Sequence, residues 1–141
     1  MPEDRDARVI REFTENEGKV GPPFAGASMI LVHHKGAKSG AVRTTPLVYF
    51  TDGDRYLIVA SKGGAPTNPA WYHNLKAHPE IEVDLATDAG VKRLTMRAEE
   101  LTGAERDSAF GRIVAVAPGF GDYAEKAKGS RTIPVFALTV A

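Results

Sequence analysis

Cysteine is absent from this chain, which excludes disulfides, thiolate metal sites and cysteine nucleophiles. Long hydrophobic runs are absent as well, since no segment approaches the ~18 consecutive apolar residues of a membrane-spanning helix. Residues 1–18 are too charged for a secretory signal, so a cytoplasmic protein is expected. Neither sign of charge is in excess: 18 Lys and Arg face 18 Asp and Glu, for a formal net charge of +0. Nucleic-acid binding normally calls for a basic face over a whole domain, and is not expected here. Internal repeats and low-complexity tracts are missing too.

What is present describes one ordinary globular domain. At 141 residues and 43% hydrophobic content, the chain can build a core without staples, because about 150 residues bury roughly 70% of their unfolded surface. Against the neutral total, the stretch from His33 to Asn74 is locally cationic: Lys35, Lys38, Arg43, Arg55 and Lys62 meet only Asp52 and Asp54. Three of these cations adjoin turns, in Gly36-Ala37-Lys38-Ser39-Gly40, Val42-Arg43 and Ser61-Lys62-Gly63-Gly64. Glycine permits close backbone approach, and successive turn N–H groups form an anion-binding concavity. Arg adds a planar fork and Lys a point charge. An anionic small molecule is the implied partner. The pattern is not a P-loop, which needs Gly-Lys-Ser/Thr after a spaced glycine.

The chain reads mainly as β structure with peripheral helices. Residues 3–16 form an amphipathic helix with Val9, Ile10 and Phe13 on one stripe, ended by Gly18 and Gly21-Pro22-Pro23. Residues 1–20 are an appended helix or lid. Strands follow at Ala27–His34 (apolar on both faces, so central), Val42–Phe50 (an edge or a bulge, because of Pro46), Arg55–Ala60, Glu80–Ala86, Lys92–Ala98 and Thr132–Val140. Asn68 is expected to cap a helix over Ala70–Ala77, with Pro69 as its first residue. Thr102 and Glu105 have capping-box spacing for a helix to about Val116. Six strands joined largely by hairpins imply an antiparallel sheet curling into a barrel over residues 25–141.

Several constellations admit two readings. Lys38 and Arg43 flank one turn and are either solvated hairpin charges or part of a phosphate or carboxylate site. Trp71 and Leu75 share a helical face, either as core or with Trp71 walling a planar ligand. His33 and His34 point to opposite faces of a strand, while His73 and His78 straddle a helix end, so no metal site is implied. Phe120 and Tyr123, in the glycine-bearing segment 118–123, are a pocket lid or a plug for the barrel end.

Taken together, His33-His34-Lys35-Gly36-Ala37-Lys38-Ser39-Gly40, Arg43-x-x-Pro46-Leu47, Val59-Ala60-Ser61-Lys62-Gly63-Gly64, Asn68-Pro69-Ala70-Trp71-Tyr72-His73-Asn74-Leu75 and Arg131-Thr132-Ile133-Pro134-Val135 resemble the deazaflavin-dependent nitroreductase family of actinobacteria. The resemblance covers most of the chain after residue 25. It implies a split β-barrel like that of flavin-binding oxidases. It also implies coenzyme F420, a 5-deazaflavin with a phosphodiester and an oligoglutamate tail.

In that family the turn matching Ala37, Lys38 and Ser39 lines the cofactor groove. So does the strand matching Arg43, Thr44, Thr45, Pro46, Leu47, Val48 and Tyr49. The segment matching Val59, Ala60, Ser61 and Lys62 joins them, as does the helix start matching Ala70, Trp71, Tyr72, His73 and Asn74. On the acceptor side, the tyrosines of nitroimidazole-reducing members correspond to Ala117, Phe120 and Tyr123, so one phenol remains. The implied enzyme passes hydride from reduced F420 to a quinone, enone or nitroaromatic, with poor turnover of nitroimidazoles. Backbone amides at Ser61 and Lys62 would steady developing charge, Tyr123 is the proton-donor candidate, and Phe120 would bind the cofactor by reaching the deazaflavin ring. The competing reading is a non-catalytic carrier for F420, FMN or a fatty acid. Related barrels are often dimers, so a homodimer is expected by analogy.

Overall fold

The computed structural model describes residues 5–19, 28–87 and 89–141. The expected Gly21-Pro22-Pro23 helix stop and Asp88 of the expected turn at 88–90 lie outside these. Among the described residues seven strands form: β1 (Met29–Lys35), β2 (Val42–Val48), β3 (Phe50–Asp52), β4 (Arg55–Val59), β5 (Glu80–Thr87), β6 (Gly90–Glu100) and β7 (Val135–Val140). Four α-helices accompany them: α1 (Arg5–Glu15), α2 (Ala70–Ala77), α3 (Gly103–Val116) and α4 (Gly119–Ala127). The strands make one antiparallel sheet in the order β2-β1-β5-β6-β7-β4-β3.

That order explains the curvature. β2 and β3 lie at opposite edges of the sheet, yet only Tyr49 separates them in sequence. The sheet must therefore curl until its edges approach, giving the expected barrel-like fold as a half-barrel. The Tyr49 N–H bonds the Ser28 carbonyl at 3.0 Å and marks the crossing point. What reads as a single strand over Val42–Phe50 is thus two, belonging to opposite edges. Pro46 sits where its missing N–H costs least, on edge strand β2 opposite Leu31.

Two layers sandwich β1, which is why its residues are apolar on both faces. On the concave side Ile30 and Val32 join Ile81, Val83, Met96, Phe136 and Leu138, capped by Trp71 and Leu75 of α2. On the convex side Met29 and Leu31 pack under Val9 and Phe13 of α1. Further along the convex side, Phe110, Ile113 and Ala127 from α3 and α4 cover Leu57, Val59, Val135 and Ala137. No helix among the described residues is long and apolar enough to cross a membrane.

Three local expectations need correction. Pro69, not Asn68, occupies the N-cap of α2; the Asn68 amide oxygen instead accepts from Arg131. Thr102 is the N-cap of α3 but makes no side-chain cap bond, because Gly103 follows in the left-handed region at φ 58° and breaks the regular capping-box geometry. Residues 119–127 form α4 despite two glycines. A side chain at Gly121 would meet Val114 at 3.3 Å, so glycine there allows α4 to lie close against α3.

Candidate functional site

Four antiparallel steps separate β1 from β4 in the sheet, so the two strands run the same way. The turn after β1 and the segment after β4 therefore emerge at one rim of the half-barrel, where β2 also begins. This places Lys38, Arg43 and Lys62 at a common end of the sheet. None of the three is paired with a carboxylate among the described residues, whereas Arg55, Lys76, Arg93 and Arg112 all are.

The turn is built to leave backbone donors outward. Gly36 N–H bonds Ala41 O at 2.8 Å, Gly40 N–H bonds Gly36 O at 3.0 Å, and the Ser39 hydroxyl accepts from Ala41 N–H at 3.2 Å. The N–H groups of Lys38 and Ser39 take no partner within the described chain. A Cβ at Gly36 would sit 2.4 Å from the Ser39 hydroxyl, so a side chain there would turn that hydroxyl off the Ala41 N–H. These outward amides, and cations without carboxylate partners, are suited to an anionic group.

Asn74 ties this turn to α2. Its amide oxygen accepts from Ala37 N–H at 2.9 Å, and its amide nitrogen donates to His34 Nδ1 at 2.8 Å. His34 Nε2 then donates to the Thr45 hydroxyl at 2.8 Å. Burial foremost, then the neighbouring Arg43 and His33, pushes the His34 pKa below its ordinary value, so the ring is neutral.

After β4 the chain makes a short 3₁₀ turn, Lys62–Gly64, with Lys62 in the left-handed region at φ 46°. Such strain in a non-glycine residue persists only where the surroundings hold it. Here the holder is Arg131. Its Nε donates to Ala65 O at 3.0 Å, Nη1 to Ala60 O at 3.0 Å and to Asn68 Oδ1 at 2.8 Å, and Nη2 to Ser61 O at 2.8 Å. Burial lowers its pKa. One guanidinium thus fixes the exit from β4 and the entry to α2. Sequence reasoning gave Arg131 no role; its one signal was the resemblance motif Arg131–Val135.

Strand alternation divides the expected cofactor residues. In β2, Arg43, Thr45 and Leu47 share the concave side with His34, Val32 and Ile30, and Tyr49 packs there too. Thr44 points the other way and bonds His33 Nδ1 at 2.8 Å; Pro46 and Val48 share that side, with Val48 against the α1 layer. Ala60 belongs to the concave core and Val59 to the convex one.

In α2, Trp71 is buried against Phe136, at 5.8 Å between ring centroids, which is core packing. Tyr72 is half-buried with its hydroxyl on Glu100 at 3.2 Å, and burial before all else raises its pKa. Ala70 and His73 are exposed. Phe120 lies on the convex side, edge-on to Phe50 at 5.7 Å and to Tyr123 at 5.6 Å. Tyr123 is 38% exposed. Its carbonyl would lie 2.9 Å from a side chain placed on Gly64, so α4 brings it beside the 3₁₀ turn.

Two surface clefts are lined by none of Lys38, Arg43 and Lys62. One of about 460 Å³ runs between α3, α4 and residues 128–133, with Arg106 and Phe110 in its wall. The other, about 400 Å³, opens at the opposite rim beside Phe50 and Arg112, and Tyr49 is the one expected cofactor residue lining it.

A family model described as F420H(2)-dependent quinone reductase matches residues 7–140. An F420H(2)-dependent quinone reductase of Mycobacterium tuberculosis H37Rv is 41% identical over 133 residues, covering 90% of this chain and 84% of the relative. The solved structure of an F420-H2-dependent reductase, FDR-A, superposes with a TM-score of 0.66 at 39% identity, covering 79% of this chain and 93% of that one. A second solved structure, a domain-swapped dimer, gives a TM-score of 0.69 at 36% identity, covering 92% and 96% of the two chains.

Proposed function

The chain belongs to the F420H(2)-dependent quinone reductase family, and on that premise we propose that it reduces a quinone, or a comparable electron-poor enone or nitroaromatic, at the expense of reduced F420. The observation that carries the assignment to a place in the molecule is the rim: Lys38, Arg43 and Lys62 without carboxylate partners, beside the outward amides of Lys38 and Ser39. This donor set fits a ligand with a phosphodiester and several carboxylates. An open rim suffices for it, because charge and backbone N–H groups hold such a tail without a deep cavity. The two clefts hold none of the three cations.

When bound, the reduced deazaflavin supplies hydride from its C5 to the acceptor. The protein's own part is position and electrostatics. In this reading Lys38, Arg43 and Lys62 bind the charged tail, and Ala37 and Ser39 contribute backbone. Thr45, Leu47 and Tyr49 form the slope towards the ring, with Ala60 packed in the core beneath them. Thr44, Pro46, Val48 and Val59 act through backbone alone, since their side chains face the convex layer. Trp71 and Tyr72 stiffen the floor, and Ala70, His73 and Asn74 line the helix start. The amides of Ser61 and Lys62, aimed by Arg131, steady negative charge. Tyr123 is assigned the proton, and Phe120 seats the Tyr123 ring.

Residues 25–141 are the cofactor-binding barrel on this account, and residues 1–20 an accessory segment whose helix α1 braces the outer wall. We place the enzyme in the cytoplasm and read it as a homodimer, testable by light scattering. Titration with oxidised F420 followed by ligand fluorescence tests the assignment. Tight binding that weakens in Lys38→Ala and Arg43→Ala, less so in high salt, is expected. No binding at tens of micromolar removes F420, and a yellow protein with flavin absorbance replaces it by FMN.

A further inference from the structure

His34 and Asn74 are the two buried polar side chains among the described residues, at 3% and 7% exposure, and they are bonded to each other. A buried polar pair away from solvent is costly unless every group is matched, and here the matching admits one arrangement. The Ala37 N–H can only donate, so the Asn74 oxygen must face it. The Asn74 NH₂ therefore faces His34, whose Nδ1 must accept. That leaves the ring proton on Nε2, pointing at the Thr45 hydroxyl. The chain of bonds runs from β2 through β1 and α2 to the Gly36–Ser39 turn.

We propose that His34 is a positioning residue for the cofactor: as the neutral Nε2–H tautomer it orients Asn74, and Asn74 holds the anion-binding turn at Ala37. The inference rests on the functional reading above. His34 does not touch the ligand. It sets the place of the Lys38 and Ser39 amides, so its loss acts on binding and spares the chemical step. A ring that gained a second proton would turn Nδ1 into a donor facing the Asn74 donor, and the latch would open.

The test uses the intact protein with F420. In His34→Leu the dissociation constant for F420 should rise about tenfold, the scale of one or two lost hydrogen bonds, with kcat at saturating F420H2 retained. Amide exchange at Ala37 should accelerate. His34→Gln, whose side chain can both accept from Asn74 and donate to Thr45, should restore affinity and protection. Asn74→Ala should give the same loss, and the double variant no more than either single change; Asn74→Ala also serves should the leucine variant fail to fold. Wild-type protein that does not bind F420 overturns the functional reading and this inference with it. Wild-type protein that binds, alongside a His34→Leu variant of equal affinity and unchanged Ala37 exchange, overturns the inference alone.

Discussion

Replacing Arg131 by alanine removes the donor for three backbone carbonyls, Ala60, Ser61 and Ala65, and for the Asn68 amide oxygen. Each hydrogen bond from a charged donor is worth about 1.5–3 kcal/mol net, but the half-buried acceptors can recover part of that by rehydration, so a loss of about 3–5 kcal/mol is expected. For a chain of this length that corresponds to a fall in Tm of roughly 10–15 °C. The single tryptophan, Trp71, is 6% exposed, so its fluorescence in urea reports the unfolding directly. Below the new Tm the folded variant should still bind F420 more weakly, because Ser61 and Lys62 are no longer held. Arg131→Lys should recover only part of both losses: an ammonium has three donors and no planar fork. A Tm within about 2 °C of wild type for Arg131→Ala would refute the reasoning, since it would mean that water replaces the guanidinium at no cost.

Three further outcomes are expected. Tyr123→Phe should lower quinone turnover while leaving F420 affinity nearly unchanged; full activity in steady-state assays would remove the phenol as donor. Gly64→Ala should cost about 1–3 kcal/mol in denaturant unfolding, combining a φ of 83° with a Cβ only 2.9 Å from the Tyr123 carbonyl, whereas Gly53→Ala, at φ 62° with nothing within 4 Å, should cost less. Because the His34 pKa is depressed in the folded protein by burial, then Arg43 and His33, the unfolded chain takes up a proton first as pH falls. Stability should therefore be full above about pH 6.5, the ordinary histidine value, and decline below it towards the folded-state pKa. Urea midpoints at pH 7.5 and pH 5.5 check this, and His34→Gln should flatten the decline.

Much of the fold was legible from alternation and turn chemistry. Ile81, Val83 and Leu85 against Glu82 and Asp84 announce β5, and the Ala70–Ala77 helix is found to the residue. Helix α4 was not legible, because Gly119 and Gly121 argue against a helix locally, and only packing against Val114 and the strand layer favours one. The split of Val42–Phe50 was hidden as well. Nothing in Tyr49 itself says that the chain changes sheet edge there; that follows from where β4 lies.

For the site, the sequence by itself determined its chemistry: which residues carry positive charge, which turns hold glycine, and the family they resemble. Those are properties of residue type and short spacing, and folding does not alter them. Only the tertiary structure decided which side chains can act together. The parallel course of β1 and β4, set by four intervening antiparallel pairings, brings Lys38 and Lys62 to one rim. Pleating turns Thr44 and Val59 away from residues adjacent to them in sequence. Arg131 reaches back some seventy residues to Ser61, and His34 forty residues forward to Asn74. Contacts at such separations leave no local pattern, because they depend on the path of the whole sheet.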